Sequence, residues 1–167
     1  GYMTDMRVIN QLSEKYNIPV IEDACQSILG SYDGKNAGTW GITGAFSLHP
    51  LKNINVWSDG GLITTNSKKV YDQLKLLRNH GLIDRDTVKI LGYNSRLDTF
   101  QAVVGNWLLP QAKFIANKRI LNAKFFDKDF RLVGSSIITL KFGSGIVFIR
   151  ISHYQNYLIR NNRLPKF

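Results

Sequence analysis

The sequence has little of several features that would mark particular classes of protein. It has one cysteine, Cys25, among 167 residues, which excludes an internal disulfide framework and fits a reducing, cytoplasmic location. It has four prolines, and no apolar run approaches the roughly 20 residues that a membrane helix needs. Hydrophobic residues make up 44% of the chain, which excludes disordered and collagen-like classes.

Acidic residues are nearly absent from the last third of the chain. Residues 1–110 contain eleven Lys/Arg and ten Asp/Glu, whereas residues 111–167 contain eleven and two, so the net charge of +10 comes almost wholly from that third. Such a stretch can bind polyanions, and a non-enzymatic basic α/β module is one interpretation. The other is a truncated or altered end. Because no nucleic-acid motif is recognisable there, we expect neither a nucleic-acid nor a membrane partner.

Short apolar strands alternating with amphipathic helices predict an α/β fold. The pattern predicts helices near 6–16, 67–79 and from 98 onward with a kink at Pro110, and strands at 19–23, 42–48 and 60–65. Beyond about residue 131, further apolar runs suggest strands. Polar residues at the carboxyl ends of strands usually line the ligand crevice of such a sheet.

Two of these predicted strands end in residues that can carry chemistry. Asp23 ends a buried strand, and a desolvated carboxylate needs a partner. Ser47 lies at the end of the next strand and Lys52 follows five residues later, among apolar residues. Burial favours the neutral amine of a lysine, which can form a Schiff base. Taken alone, Asp23 also fits a helix cap or a salt bridge, and Lys52 a surface group.

Five stretches, in order, resemble the DegT/DnrJ/StrS family of sugar aminotransferases, which depend on pyridoxal 5'-phosphate (PLP). They are 18–26, 46–53, 59–61, 77–81 and 92–96. The resemblance covers about residues 5–130. It implies the large domain of a fold type I, aspartate aminotransferase-like enzyme, with a mostly parallel sheet and helices on both faces, here incomplete.

The resemblance also implies a domain organisation. Residues 1–110 are expected to be part of the PLP-binding large domain. Residues 111–167 are expected to contain an interdomain helix and the start of a truncated or altered carboxyl-terminal small domain. Because the chain begins with Gly1 in the middle of an element, we expect a central fragment that is inactive by itself.

The resemblance assigns roles to five residues and implies no metal. Lys52 would form a Schiff base with PLP and later move protons at the substrate carbon. Asp23 would hold the protonated pyridine nitrogen, Gln26 would lie beside the ring oxygen, and Ser47 would donate to the phosphate. Asn94 would reach the phosphate of the neighbouring subunit's cofactor, which implies a homodimer with shared active sites.

The implied reaction is transamination of a nucleotide-linked keto sugar to an amino sugar for polysaccharide synthesis, with L-glutamate as amino donor. The alternative is a PLP-dependent sugar-nucleotide dehydratase. Relatives that replace the lysine with histidine are dehydratases, so Lys52 favours transamination. His49 is expected to line the site, and the roles of His80 and Arg96 stay open.

Overall fold

The computed structural model describes the backbone of residues 3–132 and the side chains up to residue 126. The elements are α1 (Met6–Tyr16), β1 (Ile21–Asp23), β2 (Ser31–Tyr32), β3 (Lys35–Asn36), β4 (Thr43–Ser47), β5 (Gly61–Thr64), α2 (Lys68–Leu77), α3 (Thr99–Leu108) and α4 (Ala112–Leu132). A 3-10 turn, Leu109–Gln111, joins α3 to α4 and contains Pro110, at the predicted kink. The strands suggested beyond residue 131 lie outside the described residues.

The helices begin where short polar side chains satisfy their first amide groups. The Asp5 carboxylate accepts from two amides of the first turn of α1, and the Ser67 hydroxyl accepts from Val70 N in α2 at 3.3 Å. A reciprocal capping box between Asp98 and Gln101 starts α3. These signals are local, which explains why the sequence predicts the helices well.

The sheet has the strand order β1-β4-β5. β1 and β4 are parallel, with Asp23 opposite Ala45, as expected of an α/β fold. β4 and β5 are antiparallel, with Ser47 opposite Gly61, so one of the two strand pairs in this sheet is parallel. No helix separates β4 from β5, and an antiparallel pair needs no crossover helix. Residues 30–41, predicted as loop, contain the small antiparallel pair β2–β3.

The buried carboxylate of β1 is Glu22. Its exposed fraction is 8%, while Ile21 and Asp23 on either side are exposed, because successive strand side chains point to opposite faces. The Glu22 carboxylate accepts three backbone N–H groups, from Gly38 at 2.8 Å, Trp40 at 2.6 Å and Gly41 at 2.7 Å. The prediction that Asp23 is the desolvated carboxylate is therefore wrong.

Residues 37–41, which we call the strap, lie across the sheet and contact each of its three strands. β1 holds the strap through Glu22, and β5 holds it through Thr64, whose hydroxyl donates to Gly38 O at 2.5 Å. β4 contributes Gly44, where a Cβ atom would overlap the backbone of Gly38. Gly38 has φ +77°, a conformation that favours glycine. The sheet and the strap are thus one packed unit.

The connection after β4 carries Lys52 and is anchored in the core. Leu48, Ile54 and Val56 lie before and after this lysine, and they form a buried cluster with Ala112 at the start of α4. Val56 N donates to Leu48 O at 3.1 Å, which closes the connection into a loop. Lys52 therefore lies at the tip of a loop whose two ends are fixed by packing.

Candidate active site

A cavity of about 330 Å³ lies where β1 and β4 end, within the size range of small-molecule sites. Its walls come from the residues after β1, the end of β4, the loop that carries Lys52, and α4. The lining residues are Ala24, Cys25, Gln26, Ile28, Phe46, Ser47, Leu51, Lys52, Asn53, Ile54, Arg119, Asn122, Ala123 and Phe126. The structure thus brings Gln26, Ser47 and Lys52 together around one cavity.

The turn between Ser47 and Lys52 is held by hydrogen bonds between neighbouring residues. Lys52 N donates to His49 O at 2.8 Å, and Lys52 is half-buried. The Ser47 hydroxyl oxygen accepts from His49 N at 3.3 Å, which leaves the hydroxyl hydrogen able to donate to a ligand. A hydroxyl donor and a lysine amine therefore face the same cavity from one rigid turn.

Asp23 lies beside the cavity and is hydrogen-bonded to a residue that lines it. Its Oδ1 atom accepts from Cys25 N at 3.1 Å. The Cys25 thiol has two acceptors in reach, this carboxylate and Ala45 O at 3.7 Å, of which the charged one is the stronger. The hydrogen bonds from Cys25, and then the charge of Lys52, lower the pKa of Asp23 below its ordinary value. Asp23 therefore stays ionised to a lower pH than an ordinary aspartate.

Replacing Cys25 with alanine is expected to raise the pKa of Asp23 part of the way to its ordinary value. The thiol is the largest cause of the lowering, and the backbone N–H bond remains in the variant. Because the folded-state pKa is lowered, the stabilisation from these bonds is present above the ordinary pKa and is lost as pH falls through the lowered one. A pH titration of the Asp23 carboxyl carbon by NMR measures the change.

Asp84 is the control for that titration. Its pKa is lowered by hydrogen bonds from Asp86 and Thr87, and Cys25 is not among the causes. Cys25→Ala should leave the Asp84 titration unchanged. An unchanged Asp23 titration would show that the thiol does not act on this carboxylate.

Three other predicted residues lie outside the cavity lining. Asn94 is exposed and forms an antiparallel bridge with Asn79 beyond α2. His49, expected to line the site, instead accepts from Leu51 N at Nδ1 (3.1 Å), and its Nε2 atom lies 3.8 Å from Asp59 Oδ1. That prediction for His49 is wrong, because the imidazole supports the turn from outside. The Arg96 guanidinium donates to Asn79 Oδ1 at 3.4 Å.

Four residues of α4 line the cavity without having been expected there: Arg119, Asn122, Ala123 and Phe126. The last three follow Arg119 by three, four and seven residues, which places all four on one face of a helix. This spacing can be read from the sequence, but it indicates a site only once α4 is known to border the same cavity as Lys52.

Two further kinds of feature are absent from the described residues. Among the described residues, no group of three or more His, Cys, Asp or Glu side chains could hold a metal ion. In the same part of the chain, no helix combines the length and apolar character needed to cross a membrane.

Comparison with known families identifies the chain. The model of the DegT/DnrJ/EryC1/StrS aminotransferase family matches residues 1–159. The chain belongs to this family. The match also corrects one expectation, since it continues past residue 130, where we expected the resemblance to end. Most of the basic last third therefore lies within the family match.

The chain is also similar to individual proteins over most of its length. The chain is 32% identical over 161 residues to a pleiotropic regulatory protein of Geobacillus stearothermophilus, covering 96% of this chain and 42% of that protein. It is 36% identical over 135 residues to a UDP-4-amino-4,6-dideoxy-N-acetyl-beta-L-altrosamine transaminase of Campylobacter jejuni. This match covers 78% of this chain and 35% of the transaminase. The chain thus spans less than half the length of these relatives.

Solved structures give the same fold. A DegT/DnrJ/EryC1/StrS aminotransferase from Brucella abortus superposes with a TM-score of 0.77 at 30% sequence identity, covering 84% of this chain and 38% of that one. The chain therefore has the α/β fold of fold type I PLP-dependent aminotransferases, over the 38% of the Brucella chain that it covers.

Proposed function

We propose that the protein carrying this chain is a PLP-dependent aminotransferase that converts a nucleotide-linked keto sugar to an amino sugar. L-glutamate is the proposed amino donor, and the proposed location is the cytoplasm, in line with the single cysteine. One observation carries the proposal. The Lys52 amine lies at the tip of an anchored loop, in a cavity that also contains Ser47 and Gln26, with the ionised Asp23 next to it.

The donor set of the cavity fits PLP. When bound, PLP supplies an electron sink that stabilises negative charge at the substrate carbon. Lys52 Nζ would hold the cofactor and then move a proton at that carbon. The Asp23 carboxylate would accept the hydrogen bond of the protonated ring nitrogen, which needs an acceptor that stays ionised. The Ser47 hydroxyl would donate to the phosphate, and the Gln26 amide would donate to the ring oxygen.

We place Asn94 in a homodimer with shared active sites. Its exposed position outside the cavity fits a residue that acts on the partner's cofactor phosphate. An aromatic face lies on α3 and on the connection between β4 and β5: Trp57, Phe100 and Trp107 are each more than 60% exposed, and the rings of Trp57 and Phe100 lie 5.6 Å apart. Exposed apolar patches of this kind mark interaction surfaces, and a second copy is the occupant that would also deliver Asn94.

The product sugar tests the proposed reaction. The protein is incubated with PLP, L-glutamate and a panel of UDP- and dTDP-linked keto sugars, and the sugar products are identified by mass spectrometry. We expect an amino sugar and one 2-oxoglutarate for each keto sugar consumed. A deoxy sugar formed with loss of water would indicate the dehydratase reaction instead. No PLP uptake at all would contradict both.

A further inference from the structure

The α4 wall of the cavity presents a cationic and an amide side chain to the space in front of Lys52. Arg119 and Asn122 line this wall with Phe126. α4 lies close to the rest of the cavity because its inward positions include Ala116 and Ala123, which are 8% and 7% exposed. Packing of these alanines therefore holds α4 close, while Arg119 and Asn122 border the cavity and are also exposed to solvent.

The charges of the cavity are unbalanced. Lys52 and Arg119 both line it, and none of its lining residues carries a carboxylate. Asp23 interacts with Lys52 from outside the lining. Within residues 3–126, the four ion pairs do not include Arg119. A guanidinium that borders a cavity and has no ion-pair partner among residues 3–126 is suited to bind an oxyanion, because its planar fork matches two oxygen atoms.

The proposed function limits the oxyanion on Arg119 to groups that the substrates carry. Ser47 and Lys52 line the same cavity from β4 and the loop after it, where PLP is proposed to bind, so a group on Arg119 would belong to whatever approaches PLP from the α4 side. Both proposed substrates are anionic, since glutamate carries carboxylates and the nucleotide sugar carries a diphosphate.

We propose that Arg119 and Asn122 form an oxyanion-binding subsite that positions a substrate's carboxylate or phosphate group against Lys52. The choice of substrates rests on the proposed function, whereas the anion binding itself does not. Arg119 would form a bidentate contact and Asn122 would donate one further hydrogen bond. This subsite is specific to the substrate and leaves the affinity for PLP unchanged.

The test uses two unreactive probes on the PLP-loaded protein, pyrophosphate for the diphosphate and glutarate for the glutamate carboxylates. Isothermal titration calorimetry compares wild type, Arg119→Gln and Lys113→Gln, a control that removes the same charge from an exposed position of α4 outside the cavity. We expect Arg119→Gln to weaken one probe roughly tenfold or more, with Lys113→Gln unchanged. The probe that is weakened identifies the source of the oxyanion.

Asn122→Ala gives a second measurement that does not depend on the folding of the arginine variant. It should weaken the same probe by a smaller factor, and Arg119→Lys should restore binding only in part. The proposal is overturned if neither probe binds the wild type, or if Arg119→Gln behaves like Lys113→Gln. It is also overturned if Arg119→Gln lowers the uptake of PLP, because the arginine would then serve the cofactor. None of these outcomes requires turnover, so failure of the subsite and failure of the proposed reaction are distinguishable.

Discussion

Replacing Lys52 with alanine is expected to lower amino transfer by at least roughly a thousandfold, as loss of a residue that bonds covalently to the reacting system does. The variant removes the amine that faces the cavity and leaves Leu48, Ile54 and Val56 to hold the loop. The protein should therefore fold normally and lose the covalent attachment of PLP. Borohydride reduction followed by peptide mass analysis measures this, because the cofactor mass should appear on the Lys52 peptide of the wild type alone.

Two controls separate this chemistry from charge and from folding. Lys52→Arg keeps a cation but has no amine that can attack an aldehyde, so it should be as inactive as Lys52→Ala. Lys89→Ala removes an exposed lysine outside the cavity lining and should retain full activity. Cofactor mass on another lysine peptide of the wild type would overturn the assignment of Lys52.

The same variant tests the shared active site. If Asn94 of one subunit completes the site that contains Lys52 of the other, a dimer of Lys52→Ala with Asn94→Ala has one intact site. Random mixing of the two inactive proteins should then restore about one quarter of wild-type activity, as two-fold symmetry predicts. No recovery from a mixture in which hybrid dimers are detected would contradict the role of Asn94.

Replacing Glu22 with alanine is expected to lower the free energy of unfolding by about 4 kcal/mol, because three strap amides lose a charged acceptor. Many domains have little more than that in total, so we expect the variant to be partly unfolded at 37 °C. Glu22→Gln keeps one carbonyl oxygen but turns an NH₂ group toward the amides, and about half the loss is expected. Urea denaturation followed by circular dichroism gives both values.

Glu14→Gln is the matched control for the strap. This glutamate is exposed on α1, and its replacement should not move the urea midpoint. Equal midpoints for Glu22→Gln and Glu14→Gln would mean that the three short hydrogen bonds to Glu22 contribute nothing to stability.

Local signals explain which parts of the fold the sequence predicts. The apolar spacing from Met6 to Tyr16, the helix start near residue 67 and the kink at Pro110 depend on signals within a few residues, and the structure has each of them. The turn from Ser47 to Lys52 is also local, which is why these two residues were found together. The antiparallel direction of β5 depends on pairing between distant residues, and no spacing within the strand encodes it.

The candidate site also contains features that depend on contacts between distant residues, and the sequence does not predict them. The sequence does not tell which carboxylate of the Glu22-Asp23 pair is buried, because the strap that covers Glu22 begins fifteen or so residues later and folds back across the sheet. Arg119 was missed for a similar reason, since it reaches the cavity from a helix more than sixty residues after Lys52. Roles that depend on a second subunit, such as that of Asn94, have no signal in one chain beyond the family resemblance.

The strap also has a consequence for the order of folding. Its hydrogen bonds to Glu22 and Thr64 join residues 16 to 26 positions apart, so they close short loops at low entropic cost. The unit from β1 to β5 can therefore assemble during synthesis, as soon as residue 64 has left the ribosome. Ala112 and the α4 wall emerge later, and the loop that carries Lys52 gains its full packing only then. We expect the scaffold of the cavity to form first and the cavity itself to be completed last.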